Sequence, residues 1–358
     1  MFHGVILAGG RGERLWPVNR QNFPKHLLAT VHRESMLEDC IRRIEALVPP
    51  KHVLVVTHKN YLAAIERHLK GKLAIGGFVV EPQGKNTAIA IGLAAFKLLK
   101  QDPAAIMYVL PADHYIAEED RLHQAFRTAA RLTLEQESLV TIGVNPTRPE
   151  PNYGYIEMGP SVEGDYEVPV FSAQSFKEKP SAEQAVELMA RGTYLWNTGM
   201  YVWKARVLIE ALEKFMPELY GGLVAIEGDL GTDREEKALE GLYTRIGNVS
   251  IDYGVMEKAD NVLVIRGSFV WDDFADWEIV ARIVAADDDG NVTRGKAVTL
   301  DSKNSLVWSE DGVVAVLGVD DMIVVRQGDA VLICPRSKAS DVKLIVRELN
   351  KRGLDQYA

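Results

Sequence analysis

Short apolar runs alternate with longer helical patterns through the first 145 residues of the chain. The runs are rich in Val, Ile and Leu and hardly alternate with polar residues, as is typical of strands that are covered on both faces. They occupy residues 5–8, 53–57, 78–80, 106–110 and 139–144. The intervening helical patterns occupy residues 37–47, 61–69, 87–100 and 120–134. Because alternating strands and helices form parallel sheets with crossover helices, this part of the sequence predicts an α/β fold.

The pattern changes after residue 145, where Pro146, Pro149 and Pro151 mark a loop. Two antiparallel strands are predicted at 153–158 and 168–176, and helices at 182–191, 205–214 and 235–243. After a charged turn at 287–291, short β runs recur about every 8 to 10 residues, which predicts a small all-β unit. These runs occupy residues 297–300, 305–308, 313–317, 322–326 and 330–333. With a closing helix over 339–349, the sequence predicts two domains, 1–286 and 287–358.

The composition limits the partners that the chain can have. Its 50 acidic and 41 basic residues give a net charge of −9, which disfavours non-specific binding to nucleic acid. No apolar run approaches the roughly 18 residues of a membrane span, and the first residues lack the basic region of a signal peptide. Cys40 and Cys334 form no metal-binding pattern and fit a reducing compartment. We therefore expect a cytoplasmic protein whose partners are neither nucleic acids nor membranes.

A glycine-rich turn follows the first strand, in the string Leu7-Ala8-Gly9-Gly10-Arg11-Gly12-Glu13-Arg14. Glycines let backbone amides approach a phosphate closely. The P-loop pattern and the dinucleotide fingerprint are both absent, the latter because position 15 is Leu. The turn is then either a phosphate-binding loop, with Arg11, Arg14 and Lys25 as its cations, or a tight βα turn with those side chains in solvent.

Two aspartates are candidate metal ligands. Asp113 follows the strand at 106–110, at the sheet edge where open α/β folds bind ligands, and a carboxylate there suits Mg²⁺. The alternative is that Asp113 caps the next helix. Asp273 lies in a second acidic segment, Trp271-Asp272-Asp273-Phe274-Ala275-Asp276-Trp277, in which we expect Asp272 and Asp276 to be solvated or capping.

Other polar segments have the chemistry of ligand contacts. The loop Glu81-Pro82-Gln83-Gly84-Lys85-Asn86-Thr87-Ala88 enters a helix, whose positive end could meet an anion or a base edge, or could simply be capped. Three short segments offer the donors, acceptors and cation that a sugar phosphate needs, although turns and packed aromatic residues would explain each one alone. They contain Gly154 and Tyr155, Glu178 and Lys179, and Asn197.

The ordered motifs resemble those of the sugar-1-phosphate nucleotidyltransferases over about residues 3–280, with a weaker likeness in the tail. The string G-G-x-G-x-R-L-W-P at 9–17, followed by Pro24-Lys25, carries the resemblance, and its Trp16-Pro17 resembles the mannose-1-phosphate guanylyltransferase branch. The elements E-K-P at 178–180, W-N-T-G-M at 196–200 and W-x-D-x-x-x-W at 271–277 follow in order. The chain departs from the family pattern at Lys85, where Arg is usual, and at Ala275, where Gly is usual.

The resemblance implies a Rossmann-like, mixed and mostly parallel sheet flanked by helices, with a small C-terminal domain like a left-handed β-helix. It implies transfer of GMP from GTP to α-D-mannose 1-phosphate, giving GDP-mannose and pyrophosphate by Mg²⁺-dependent in-line displacement. Another sugar 1-phosphate and nucleotide, such as glucose 1-phosphate with UTP or dTTP, or a non-catalytic regulatory subunit, are the alternatives. A homodimer is expected.

The resemblance also implies roles for individual residues. Arg14, Lys25 and Asp113 would be catalytic, and Asp113 and Asp273 would hold Mg²⁺. The nucleotide would be bound by Leu7, Ala8, Gly9, Gly10, Gly12, Glu81, Pro82, Asn86, Thr87 and Ala88. The sugar phosphate would be bound by Gly154, Tyr155, Glu178, Lys179 and Asn197.

Overall fold

The structure, a computed structural model, describes residues 1–20, 23–29 and 34–358. Its strands are β1 (Phe2–Ala8), β2 (Val53–His58), β3 (Gly77–Glu81), β4 (Ile106–Pro111), β5 (His114–Ala117), β6 (Leu139–Val144), β7 (Gly154–Ser161), β8 (Val170–Glu178), β9 (Tyr194–Lys204), β10 (Val262–Gly267), β11 (Val270–Asp273), β12 (Val292–Arg294), β13 (Ala297–Leu300), β14 (Leu306–Ser309), β15 (Val314–Leu317), β16 (Met322–Gln327) and β17 (Ala330–Pro335). Its helices are α1 (Met36–Glu45), α2 (Lys59–Leu69), α3 (Thr87–Gln101), α4 (Glu119–Glu135), α5 (Ala182–Arg191), α6 (Ala205–Phe215), α7 (Pro217–Ile226), α8 (Glu235–Arg245), α9 (Trp277–Ile283) and α10 (Lys343–Lys351).

The predicted elements are confirmed, with ends that differ from prediction by at most three residues everywhere except the closing helix. That helix begins late, at Lys343, because a 3₁₀ helix (Arg336–Asp341) precedes it. The pattern analysis missed the short elements β5, β11, β12 and α9, and also β9 and α7. The eleven-residue strand β9 was not recognised, because its motif W-N-T-G-M suggests a loop.

The main sheet has nine strands in the order β3-β2-β1-β4-β9-β6-β10-β8-β7. Its first four strands are parallel, as the apolar runs predict. The rest of the sheet is less parallel than expected, because β9 pairs antiparallel with β4, β6 and β7. The mixed α/β architecture is therefore confirmed, whereas the second half of the sheet is largely antiparallel.

The chain groups into two compact units. Unit 1 comprises Met1–Gly9, Asp39–Ala112 and Ile116–Trp271, and unit 2 comprises Gly10–Glu38, Asp113–Tyr115 and Asp272–Ala358. The core of unit 1 contains α3, whose apolar residues are buried almost all round, together with side chains from α6, α7 and α8. The sequence division at 286/287 stays a proposal about sequence modules, since this grouping follows contacts and crosses it.

Unit 2 contains parallel coils of β structure. β12, β14 and β16 stack in parallel, β13 and β15 form a second parallel pair, and β17 closes the first stack antiparallel to β16. The buried Leu306, Trp308 and Ile323 of these coils share one core with Leu15 and Trp16, which follow the glycine turn. The coils and the turn are thus stabilised by the same apolar contacts.

Across the described part of the chain, no helix combines the length and the apolar character needed to cross a membrane.

Candidate active site

The glycine turn after β1 keeps a stretch of backbone clear of side chains. Gly12 has a φ of 62°, and a Cβ atom there would lie 2.6 Å from Nδ2 of Asn19 and 2.7 Å from Cβ of Lys25, so only glycine fits. The Asn19 amide donates to the carbonyl of Arg11, and the backbone amide of Leu15 donates to the carbonyl of Gly12 at 2.9 Å. A turn held in this way can bring its backbone close to phosphate oxygens.

The residues just before the turn are fixed within unit 1. The carbonyl of Leu7 accepts from the backbone amide of Ala112 at 3.0 Å, and the carbonyl of Ala8 accepts from the Thr57 hydroxyl at 2.8 Å. Ala8 is buried. These contacts hold the end of β1, from which the glycine turn starts.

Two of the three expected cations belong to one charged cluster in unit 2. The ammonium group of Lys25 is buried, forms an ion pair with Asp113 and lies within 3.4 Å of the Phe274 carbonyl. Arg14 is half-buried, and its charge acts on both Lys25 and Asp273. Arg11 differs, because its side chain is 77% exposed and only approaches Glu13.

The two aspartates lie together although 160 positions separate them in the sequence. One ligand atom each from Asp113, His114 and Asp273 can be chosen so that all lie within 4.8 Å of one another. The Phe274 amide donates to the Asp113 carbonyl at 3.1 Å, which ties the two segments together within unit 2. Ala275 does not adopt a positive φ, so the family glycine is not required for this turn.

The charges of this cluster are unequally balanced. Burial opposes the charge on Lys25, but the carboxylates of Asp113 and Asp273 outweigh it and raise the lysine pKa. Burial would also raise the pKa of Asp113, but the Lys25 ammonium, helped by His114, holds it well below its usual range. Asp273 is left with too little positive charge, and burial together with Asp113 raises its pKa to about 7.

This donor set fits a divalent cation. Two converging carboxylates are ligands that Mg²⁺ prefers, and a bound cation would reverse the high pKa of Asp273. The neighbouring segment is tied to structural partners, since Asp276 caps α9 and Asp272 pairs with Arg282 at 2.9 Å. The capping expected of Asp276 is thus confirmed, whereas Asp272, also expected to be solvated or capping, is instead buried with its carboxylate paired to Arg282.

His26 belongs to this region, although no motif identified it. Its ring is buried, and its Nε2 would lie 3.7 Å from a Cβ atom placed on Gly10. Burial lowers the pKa of His26 to about 4, with Asp113 opposing the shift. The imidazole is therefore neutral at physiological pH. Its place next to Lys25 in the sequence was the only available signal.

The predicted nucleotide loop between β3 and α3 is held by the segment that follows α8, all within unit 1. Lys85 donates to the carbonyl of Ile246, and the Thr87 hydroxyl accepts from the backbone amide of Ile251 at 2.9 Å. Asn86 has a φ of 70° and caps α3 by accepting from the amide of Thr87. Lys85 is thus a structural contact that ties this loop to the segment after α8.

Asn197 and Glu178 of the predicted sugar-phosphate residues lie close together in unit 1. A Cβ atom on Gly154 would lie 2.3 Å from Oε2 of Glu178 and 3.2 Å from Cβ of Asn197, so the glycine makes room for both. Asp252 accepts hydrogen bonds from Asn197 at 2.8 Å and from the hydroxyl of Tyr201. Asp252, the first residue of a short π-helix (Asp252–Met256), thus fixes the Asn197 amide, and no motif pointed to Tyr201.

The other two predicted sugar-phosphate residues differ in their surroundings. Tyr155 is buried, and its hydroxyl bonds to the backbone of Glu150, so its side chain is not part of the Glu178 cluster. Lys179 is exposed and pairs with Glu178 at 3.1 Å. A cavity of about 410 Å³ opens beside these two residues and is also lined by Lys177 and Arg191. Glu187 and Glu257 line it as well, so its size and its mixture of cations and carboxylates suit a small ligand that carries both an anionic group and hydroxyls.

Comparisons with known proteins match both parts of the chain. A model of the nucleotidyl transferase family matches residues 3–238, which is most of the chain up to α8. A second model, described as the MannoseP isomerase/GMP-like beta-helix domain, matches residues 295–349, which contain most of the coils of unit 2.

Individual relatives match over nearly the full length. The mannose-1-phosphate guanylyltransferase of Escherichia coli K12 is 33% identical, over 99% of this chain and 75% of the relative. The alginate biosynthesis protein AlgA of Pseudomonas aeruginosa is 34% identical, over 98% of this chain and 72% of the relative. A solved structure described as mannose-1-phosphate geranyltransferase from Thermus thermophilus superposes with a TM-score of 0.87 at 34% identity, over 98% of this chain and 99% of that one.

Proposed function

Because the chain belongs to the nucleotidyl transferase family and is a sugar-1-phosphate nucleotidyltransferase, we propose that it transfers GMP from GTP to α-D-mannose 1-phosphate. The products would be GDP-mannose and pyrophosphate. Support for mannose and guanosine comes from the names of the bacterial relatives, which match over nearly the whole chain. The observation that carries the proposal is the convergence of Asp113 and Asp273 around the ammonium of Lys25.

The proposed reaction needs no protein nucleophile, because the sugar phosphate is already an anion at neutral pH. Its oxygen attacks the α-phosphorus of the nucleotide as the bond to pyrophosphate breaks, with the two oxygens in line. The main barrier is the repulsion between two polyanions and the charge that develops during transfer. Lys25 and Arg14 would stabilise that charge, and the backbone of Gly9–Gly12 would hold the triphosphate.

We propose Mg²⁺ as the cofactor, held by the carboxylates of Asp113 and Asp273. When bound, it would supply positive charge to the phosphate oxygens. In unit 1, Glu81, Pro82, Asn86, Thr87 and Ala88 would bind the guanosine part of the nucleotide. The sugar phosphate would be bound by Glu178, Lys179 and Asn197, with Gly154 and Tyr155 contributing backbone. Glu178 would accept a hydrogen bond from a sugar hydroxyl, and Lys179 would form an ion pair with the phosphate.

A substrate panel tests the proposal. Purified protein is given GTP, ATP, UTP, CTP or dTTP with either mannose 1-phosphate or glucose 1-phosphate, and released pyrophosphate is measured with Mg²⁺ and with a chelator. We expect GTP with mannose 1-phosphate to exceed every other pair by at least about tenfold in kcat/KM. A preference for glucose 1-phosphate with UTP or dTTP would replace the substrate assignment. Release from no pair would favour a non-catalytic regulatory subunit.

The proposal also includes a cytoplasmic homodimer. Within the described part of the chain, Cys40 and Cys334 form no disulfide, which fits a reducing compartment. Sedimentation velocity on the purified chain tests the dimer, since a monomer at micromolar concentration would contradict it.

A further inference from the structure

A buried acid–phenol pair lies beside the end of β1, in unit 1. Glu81, the last residue of β3, is 5% exposed, and the ring of Tyr243 on α8 is completely buried. The Tyr243 hydroxyl donates to Oε1 of Glu81 at 2.8 Å. No sequence motif contains Tyr243, and 162 positions separate it from Glu81. The pair therefore exists only through the fold.

The hydrogen bond fixes which carboxylate oxygen remains available. Oε2 of Glu81 lies 3.3 Å from the position of a Cβ atom built on Gly9, so it points towards Gly9, just after the end of β1. A carboxylate bound at one oxygen cannot rotate without breaking that bond. Because burial outweighs the single donor from Tyr243, the pKa of Glu81 is raised to about 7. The buried Glu81 carboxylate thus has too few hydrogen-bond donors around it, and a ligand could supply more.

A purine carrying donors at two adjacent positions would satisfy this acid. The Watson–Crick edge of guanine presents N1–H and a 2-amino group side by side, whereas the same edge of adenine presents N1 as an acceptor. An ionised carboxylate only accepts hydrogen bonds, so it matches guanine and opposes adenine. A site built to bind a donor rejects analogues that lack it.

We propose that Tyr243 is a positioning residue for base selectivity, which fixes the Glu81 carboxylate so that Oε2 accepts from the donor edge of guanine. This inference rests on the proposed function, since it assumes that the loop after β3 binds the nucleotide base. It adds Tyr243, which lies outside every motif, to the residues of the proposed nucleotide site, and it gives a chemical reason for the choice of GTP. Three further contacts hold the same loop against the segment after α8, through Lys85, Thr87 and Ala88.

The test compares GTP with ITP, which keeps N1–H and lacks the 2-amino group. Binding is measured by calorimetry at about pH 8, where Glu81 is ionised, and turnover is measured in parallel. The wild-type protein is expected to bind GTP roughly tenfold more tightly than ITP, as for one hydrogen bond to a charged group. Tyr243→Phe is expected to reduce that ratio to about threefold or less, with KM for GTP raised and kcat and KM for mannose 1-phosphate nearly unchanged.

Tyr220→Phe is the matched control, because Tyr220 on α7 packs its ring against Phe96. It should keep the wild-type ratio. Should Tyr243→Phe fail to fold, Glu81→Asp replaces it. The shorter side chain keeps the charge, but it cannot both accept from Tyr243 and place its second oxygen beside Gly9. Either folded variant retaining the wild-type GTP/ITP ratio would overturn the inference, and so would equal binding of GTP and ITP by the wild type. Failure of the proposed function is distinguishable, because it is judged from wild-type turnover in the substrate panel.

Discussion

The two units of the molecule hold their candidate functional groups by different means. In unit 2, Lys25, Asp113 and Asp273 are charged groups packed against one another, and their pKa values are displaced in opposite directions. In unit 1, Asn197 is held by neutral and charged hydrogen bonds, and Glu81 is held by one phenol. Charge balance suits the stabilisation of a transferring phosphate, whereas directed hydrogen bonds suit the selection of a base or a sugar. We therefore expect substitutions in unit 2 to lower kcat and those in unit 1 to raise KM.

The largest effect is expected at Asp113. Asp113→Asn should lower kcat with Mg²⁺ by about 10³-fold, or about 4 kcal/mol, because one carboxylate of the cation site is lost. The fold should survive, since Asp273 can then neutralise Lys25. Pyrophosphate release under saturating substrates measures kcat, and circular dichroism checks folding. The exposed Asp288→Asn is the matched control and should keep full activity. A folded Asp113→Asn protein with wild-type kcat would contradict the charged-cluster role of unit 2.

The next effect concerns the core that the coils share with the residues after the glycine turn. Leu306 is fully buried in that core, so Leu306→Ala should lower the free energy of unfolding by about 3 kcal/mol through lost burial and a cavity. Urea denaturation measures the change. Leu317, 65% exposed on β15, provides the control, and Leu317→Ala should change stability by less than about 0.5 kcal/mol. An unfolding transition that leaves catalytic activity intact would show that the coils and the glycine turn do not share one cooperative unit.

How much the sequence predicts also differs between the units. The alternating apolar runs predicted the parallel half of the sheet, because both faces of those strands are covered. The antiparallel pair of β7 and β8 was also predicted and is confirmed. Spacing could not predict β9, since that strand combines buried residues with polar Asn197 and Thr198 that pair inside the sheet. The aspartates were identified by motif, and the resemblance implied their closeness by giving both to the metal site, which spacing alone could not have shown. Tyr243 and His26 were missed for the same reason, because burial and long-range contact have no local signature.

Glu81 allows a test of unit 1 that does not depend on catalysis. Its pKa in the folded protein, about 7, exceeds the usual 4.5, so the folded state binds more protons than the unfolded state between these values. Wild-type stability from this group is present below about pH 4.5 and is lost as the pH rises to about 7. Glu81→Gln removes the titration and can still accept from Tyr243. The free energy of unfolding of Glu81→Gln minus that of the wild type should therefore be larger at about pH 8 than at about pH 5, by about 2 kcal/mol.

Urea denaturation of both proteins at the two pH values gives this difference directly. The comparison cancels the titration of all other groups, which are common to both proteins. If the free energy of unfolding of the two proteins depended equally on pH, Glu81 would not be a buried carboxylate that lacks hydrogen-bond donors. The contrast drawn between the two units would then not hold for Glu81.

The smallest effect is expected at Glu178, and it distinguishes recognition from chemistry most directly. Burial and the nearby Asp252 raise the pKa of Glu178, while its neighbour Lys179 opposes the shift. Glu178→Gln keeps the shape and one acceptor but loses the charge, so a sugar hydroxyl would be bound more weakly. KM for mannose 1-phosphate should rise about tenfold, or about 1.4 kcal/mol, with KM for GTP and kcat within about twofold of wild type. The exposed Glu187→Gln, on the same cavity wall, should leave all three constants unchanged. Because removal of an interaction present in both ground and transition states changes KM alone, a fall in kcat of similar size would mean that unit 1 also takes part in the chemical step.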